Sequence, residues 1–318
     1  MNEAIEFTVG FSHGVEWGWP IGVYLLLAGI SGGALIIALA LRYYKKQSEE
    51  TPLLKAASLV SFITIMIGMV FLVGDLEKPL YFWKILIKYN FTSVMSIGVL
   101  ALCIYIPLTF FIVALVFESW IKERLGHTVV AKLFFLFPLL RALRPLIEIL
   151  AFLFAVVVCA YTGFLISVLV RFPLLNTAIL PALFVVSGLS AGLGFSSLIA
   201  SSFFNANAHE GDLKTLHTIE WPVMALEMLL LFMLFVSLVV GTNVDKQSAV
   251  AFCQGTYASL FWIGVVGIGF GIPLVFNFAL GRGVAHSAVA FYLSSMASVI
   301  GVLSLRLFIL YAGQTFSA

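Results

Sequence analysis

Residues 20–41 read PIGVYLLLAGISGGALIIALAL, a run without a single charged side chain. Wound as an α-helix, such a run is about 30 Å long, the thickness of bilayer hydrocarbon. Its flanks fit the same reading. Trp17 and Trp19 precede it, Tyr43 and Tyr44 follow it, and aromatic residues of this kind gather at the two membrane–water interfaces. Pro20 falls in the first helical turn, where its missing N–H costs nothing. The composition extends the same reading to the whole sequence. Of 318 residues 62% are hydrophobic and 10% charged, and the mean hydropathy is +1.12. Soluble domains are about 45–50% apolar and 25% charged. So few charges cannot cover a globule of this size, which excludes a soluble enzyme. The net charge of +2 carries no nucleic-acid signal.

Seven further uncharged or nearly uncharged runs follow, at 55–74, 93–117, 145–170, 178–201, 220–240, 255–280 and 286–312. The reading is an all-α polytopic membrane protein, one membrane domain over residues 1–318 with eight transmembrane helices. Tyr81, Phe82 and Trp83 form a further interfacial belt after the second run. The pairs Gly29/Gly33, Gly188/Gly192 and Gly267/Gly271 place small residues at i,i+4, which lets helices approach closely; packing is their plainer role. GISGG at 29–33 also matches GLSAG at 188–192, an offset of 159 residues, which suggests two four-helix halves in parallel orientation.

Basic residues set the orientation. Arg42, Lys45, Lys46, Lys55, Lys122, Arg124, Lys132, Arg141, Arg144, Lys214 and Arg282 fall in or beside the loops of one side. Lys78, Lys84, Lys88, Arg171 and Lys246 fall on the other. The positive-inside rule puts the first set in the cytoplasm and both termini in the periplasm of a bacterial inner membrane. The basic, amphipathic segment 118–144 is expected along the cytoplasmic interface. The N-terminus begins acidic and lacks a basic region, so it does not read as a cleaved signal peptide. Cys103, Cys159 and Cys253 form no CxxC pair and supply no cluster or zinc ligand set; each reads as a small buried apolar residue.

An ionisable group within a span costs several kcal/mol unless paired or hydrated, so each is a functional candidate. Glu227 and Arg306 lie well inside their runs, Asp75 closes the second, and Glu148 opens the fourth four residues after Arg144, where a local helix pair accounts for both. By the charge-derived orientation Asp75, Arg306 and Tyr24 belong to the outer half, with Tyr161 at intermediate depth. An acid, a guanidinium and two phenols at similar depth suit a quinone, whose carbonyls need donors and whose ring protons need an acceptor on oxidation. The alternative is an Asp75–Arg306 ion pair that only joins helices, with the tyrosines as belt residues.

His217, Glu220 and Glu227 share one helical face within about 80°, and the two glutamates are about 10 Å apart along it. Such a ladder from the cytoplasmic end to mid-membrane reads as a proton relay; alternatively His217 and Glu220 are ordinary interfacial residues. His13, His127 and His209 fall in loops. His217 and His286 sit at helix ends and cannot face each other across a membrane haem, so no haem is expected.

Seven stretches resemble a known family, in that family's order: EWGWPIGVYLLLAGISGGA (16–34), GDLEKPLYFW (74–83), YTGFLIS (161–167), LPALFVVSGLSAG (180–192), HTIEWPVMALEML (217–229), FWIGVVGIGFGIPL (261–274) and LRLFILYAGQ (305–314). The sequence resembles the NrfD/PsrC family, the quinone-reactive membrane subunits of polysulfide reductase and related molybdoenzyme or multihaem complexes. The resemblance implies an eight-helix anchor that oxidises menaquinol near the periplasmic face. Electrons would pass to an iron–sulfur subunit and on to a molybdopterin catalytic subunit that reduces polysulfide. No haem, iron–sulfur cluster or molybdenum would reside in this protein. It further implies quinone binding or turnover at Tyr24, Asp75, Tyr161 and Arg306, and a role in activity for Glu227. Some members carry histidine where this sequence has Tyr24. Others serve thiosulfate, tetrathionate or nitrite, so the terminal acceptor is not fixed by the resemblance. A proton-coupled transporter using Glu227, or a passive anchor, are the competing classes.

Overall fold

The computed structural model describes residues 17–47, 49–76, 78–87, 90, 93–125, 134–206, 211–276 and 288–315. Seven of its helices are long and apolar enough to span a membrane: α1 (Trp19–Tyr44), α2 (Pro52–Gly74), α3 (Val94–Val116), α4 (Arg144–Ser167), α5 (Ile179–Phe203), α6 (Gly211–Val240) and, after a shorter apolar α7 (Leu260–Leu274), α8 (Ala288–Gly313). The protein is an all-α polytopic membrane protein. Its outward surface is apolar, with Val70 on α2, Phe110 on α3 and Phe232 on α6 exposed, as a lipid-facing surface requires. Every described span covers one of the uncharged or nearly uncharged runs, because only a helix satisfies its own backbone hydrogen bonds in hydrocarbon.

The helices pack as two related halves. Within the first, α1 packs on α2 and α4, and α3 on α4; within the second, α5 packs on α6 and α8, and α7 on α8. Between them α1 meets α5, α1 meets α8 and α4 meets α5, as a two-fold relation would have it, while α2 also packs on α5 with no equally close counterpart between α6 and α1. The glycines of the matched pentapeptides meet at its centre. A Cβ on Gly188 would stand 3.3 Å from the Gly29 Cα, and one on Gly33 would collide with the Gly188 carbonyl. Backbones this close exclude any side chain.

Gly267 and Gly271 do not serve the close approach expected of them. Each faces a carbonyl of its own helix, whereas Gly264 and Gly269 meet α8 at Ser304 and Gly301. The reason is winding: residues Leu260–Gly271 form a π-helix. Its hydrogen bonds run i to i+5, so residues five apart share a face instead of residues four apart.

At one end of the bundle the basic residues are tied down. Arg144 bonds Glu148 at 2.7 Å and Glu50 at 2.6 Å, and Arg42 approaches both acids, locking α1, the following loop and α4 together. The expected Arg144–Glu148 helix pair is therefore part of a larger network. Segment 118–144 contributes two short helices, Glu118–Leu125 and Leu136–Ala142, with Glu118 bridging Lys122 and Arg141. Cys159 is buried as expected, but Cys103 and Cys253 are exposed. In hydrocarbon a small apolar side chain has no need of protein cover. His13, His127, His209, His286, Lys88, Lys132 and Arg282 lie outside the described residues.

Candidate functional site

The crossing of α1, α4, α5 and α8 buries a complete arginine. Arg306 on α8 is 0% exposed. Its Nη2 donates to the Phe184 carbonyl at 3.0 Å and to the Ser187 hydroxyl at 2.8 Å. Ser187 in turn donates to the Leu183 carbonyl at 2.7 Å, so its oxygen is free to accept from the guanidinium. The Arg306 Cζ lies 3.5 Å above the centre of the Phe184 ring, a cation–π contact in a dry setting. Gly29 borders the group, and a Cβ there would stand in ordinary contact with Nη2 at 3.5 Å. Nε and Nη1 have no hydrogen-bond partner among the described residues.

The acid within electrostatic reach of Arg306 is Glu227, not Asp75, although the two are too far apart for a direct ion pair. Glu227 on α6 is buried, is hydrogen-bonded by the Ser190 hydroxyl, and interacts electrostatically with Arg306. The Cys159 thiol is the second group that Arg306 senses, and lies 3.8 Å from the Gly29 carbonyl. Asp75 caps the C-terminus of α2 as an exposed side chain, outside any ion pair among the described residues. The Asp75–Arg306 pair, one of the two alternatives expected from sequence, is therefore absent. Partial burial alone lifts the Asp75 carboxyl above its usual pKa.

Tyr24 and Tyr161 come together one layer away from the arginine, towards Asp75. Tyr24 is fully buried, packs against Gly68 of α2, and interacts electrostatically with Tyr161. The Tyr161 ring lies directly on Gly98 of α3. The Tyr24 hydroxyl has no hydrogen-bond partner among the described residues. A buried hydroxyl without a partner costs on the order of 1–3 kcal/mol, and such groups mark places where a ligand or water completes the set. Asp75 is seven residues beyond Gly68, so it stands about 10 Å further along the helix axis, at the exposed end of α2. Trp19, edge-on to Phe71 at 5.9 Å, fixes the neighbouring end of α1 against α2.

On α6 His217 meets Glu220, and Glu220 and Glu227 line one small cavity. His217 Nδ1 is 3.3 Å from Glu220 Oε2, with the imidazole edge against Phe291. Glu220 borders two small cavities of about 10 Å³ each. One is shared with His217, Ser197 and Ser295, the other with Glu227, Ser190 and Ser298. Each has room for about one water.

Serines complete these contacts, and a search for ionisable groups and tyrosines passes over them. Ser190 bonds Ser298 at 3.0 Å besides Glu227. The repeat offset of 159 places Ser190 opposite Ser31, a signal in the sequence that points to it. In the first half Ser31 and Ser61 are closed over by the Tyr105 hydroxyl at 3.0 and 2.9 Å. At the same offset Ser61 corresponds to Glu220 and Tyr105 to Gly264. One half is sealed by a phenol where the other keeps a carboxylate and a cavity.

Known proteins share this sequence along nearly its whole length. The family described as "Polysulphide reductase, NrfD" matches residues 9–318. A polysulfide reductase chain of Wolinella succinogenes is 42% identical over 95% of this protein and 95% of its own length. Protein NrfD of Escherichia coli is 36% identical over 94% and 95%. A selenate reductase subunit of Mesobacillus selenatarsenatis is 24% identical over 96% of this protein and 75% of its own length.

Proposed function

Since the chain belongs to the polysulphide reductase NrfD family, we propose that it is the menaquinol-oxidising membrane subunit of a polysulfide reductase-type complex. Two of the relatives are named as one chain or one subunit of a reductase, which supports a multi-subunit assembly. In this reading the partners are an iron–sulfur electron-transfer subunit and a molybdopterin catalytic subunit, and the membrane is the bacterial inner membrane. The observation that carries it is the Tyr24 hydroxyl, buried beside Tyr161 without a partner among the described residues.

The donor set fits a quinone. Two phenols supply hydrogen bonds to carbonyl or hydroxyl oxygens, and both can donate or accept. Menaquinol, when bound, supplies two electrons for the partner and two protons. Tyr24 and Tyr161 orient the head group, and Gly68 and Gly98 keep room for their rings. Asp75 at the exposed end of α2 takes protons and releases them to water on its own side. Arg306 holds the positive charge that the layer below needs, with Glu227 as its counter-charge. His217, Glu220 and Glu227 form a proton path from the opposite face through the two one-water cavities.

Menaquinol-dependent reduction of polysulfide by the purified complex tests the assignment. Tyr24→Phe removes the hydroxyl and keeps the ring, so the expected result is a KM for quinol raised about tenfold, the worth of one lost hydrogen bond at a buried site. An unchanged KM in both Tyr24→Phe and Tyr161→Phe would move the quinone elsewhere. Substrate flux into liposomes without quinol oxidation would favour a transporter instead.

The orientation is tested separately. With both termini outside, alkaline phosphatase fused after Ala318 is expected to be active. An inactive fusion, with an active cytoplasmic reporter at the same position, would exchange the two sides of the membrane for every residue.

A further inference from the structure

The two halves differ again at the joint beside α6. In the first half α2 packs on α3; α6 and α7, the corresponding pair, do not pack closely and enclose an apolar cavity of about 490 Å³. Leu231, Phe232 and Phe235 line it from α6, and Phe261, Trp262 and Phe270 from α7. The walls offer almost nothing polar. This volume lies in the range of ligand pockets, about 300–1,000 Å³.

A second cavity of about 350 Å³ adjoins the first and shares Phe235 and Cys253 with it. Its remaining lining includes Lys246 and Gln254, in and just after the short helix Asn243–Val250. The groove therefore has a dry shaft and a cationic mouth. The Lys246 ammonium forms no ion pair with a described residue. Its neighbour Asp245 is turned away into the helix cap, where Oδ2 accepts from the Thr242 N–H at 2.6 Å and from the Thr242 hydroxyl at 2.8 Å. Trp262 is fixed beside the mouth by its Nε1–H, which donates to the Phe252 carbonyl at 2.8 Å.

We propose that this groove binds one anionic phospholipid, its acyl chain between α6 and α7 and its phosphate at Lys246 and Gln254. The Lys246 ammonium beside an apolar shaft offers a phosphate its counter-charge while the shaft takes the acyl chain. A quinone fits less well, because the shaft has no donor for its carbonyls and a neutral head group gains nothing from the ammonium. The bound lipid gives α6 the lateral packing that α3 gives α2. It thereby steadies the helix that carries Glu220 and Glu227.

Native mass spectrometry of the purified protein, equilibrated with phosphatidylglycerol and phosphatidylcholine, tests this. The wild type is expected to retain one phosphatidylglycerol in preference to phosphatidylcholine. Lys246→Gln is expected to weaken that retention about fivefold, the worth of one lysine near an anionic head group. Val266→Trp, which fills the shaft, is expected to abolish it, while Lys78→Gln, a lysine on the same membrane face and outside the groove, leaves it unchanged. Lys246→Gln alters an exposed residue and carries the test even if Val266→Trp does not fold. Equal retention of phosphatidylcholine, or equal loss with Lys78→Gln, would overturn the proposal. So would release of menaquinone rather than phospholipid on filling the shaft, or retention of inorganic phosphate at Lys246 that is indifferent to Val266→Trp.

Discussion

Asp75→Asn is expected to leave the protein assembled in the membrane and to lower quinol-dependent reduction by at least about a hundredfold, the usual worth of a positioned proton acceptor. The substitution keeps the shape and removes only the acid. Assembly survives because Asp75 is exposed, makes no ion pair among the described residues, and is anchored by its backbone N–H to the Phe71 carbonyl at 3.1 Å. Its raised pKa adds a sign. A carboxyl whose pKa is raised in the fold binds its proton more tightly there than in the unfolded protein. Stability is thus lost, not gained, as pH rises from the unfolded to the folded pKa, and asparagine removes that cost. Turnover has the opposite dependence, because only the carboxylate accepts a proton. The acid limb of the pH–rate profile is expected at a higher pH than a free aspartate would give and is expected to vanish in Asp75→Asn. Failure of the variant to accumulate would assign Asp75 a structural role; full activity would remove it from the mechanism.

The spans are legible in the sequence because hydrocarbon imposes a single rule, an uncharged run long enough to cross. What that rule does not see is winding and what lies beyond the membrane. The sixth run starts at residue 220, yet α6 begins at Gly211. The additional turns carry Asp212, Lys214 and His217, polar residues that resemble a loop by composition. Lys45 and Gln47 hold them in place, each 2.9 Å from Asp212. The π-helix is illegible for a related reason. Its glycines are equally consistent with either winding, and only the contact of Gly269 with Gly301 on α8 decides between them.

At the site, the residue types are legible and their partners are not. Ionisable groups in apolar runs announce themselves, so Glu227 and Arg306 stand out. Depth counted from the end of each helix places Arg306 with Asp75. The guanidinium instead turns towards Phe184 and Ser187, because there a carbonyl, a hydroxyl and a ring face receive it. Cys159 has the composition of filler, yet stands within electrostatic reach of that cation.

The electrostatic coupling of Arg306 to Glu227 has the largest expected consequence for folding. A lone buried carboxylate, deprived of its cation, costs about 3–5 kcal/mol. Arg306→Gln is therefore expected to reduce accumulation in membranes sharply. Glu227→Gln keeps the volume and hydrogen-bonding capacity but leaves the Arg306 guanidinium without its counter-charge, so a loss of accumulation is expected there too. The double variant is expected to accumulate better than Arg306→Gln alone, since no charge is then left uncompensated. Turnover per accumulated complex is a separate readout. Glu227→Gln is expected to lower turnover or proton translocation in liposomes without releasing bound quinone, because glutamine preserves volume but carries no proton in transit. Release of quinone would instead place Glu227 in the binding pocket. If the double variant accumulates no better than Arg306→Gln, the charge pair is not what holds the arginine. Its anchors are then the Phe184 carbonyl and ring and the Ser187 hydroxyl, and Ser187→Ala should reproduce part of the defect. The two outcomes separate a counter-charge from a cradle, and only the first links α6 energetically to the layer beneath the tyrosines.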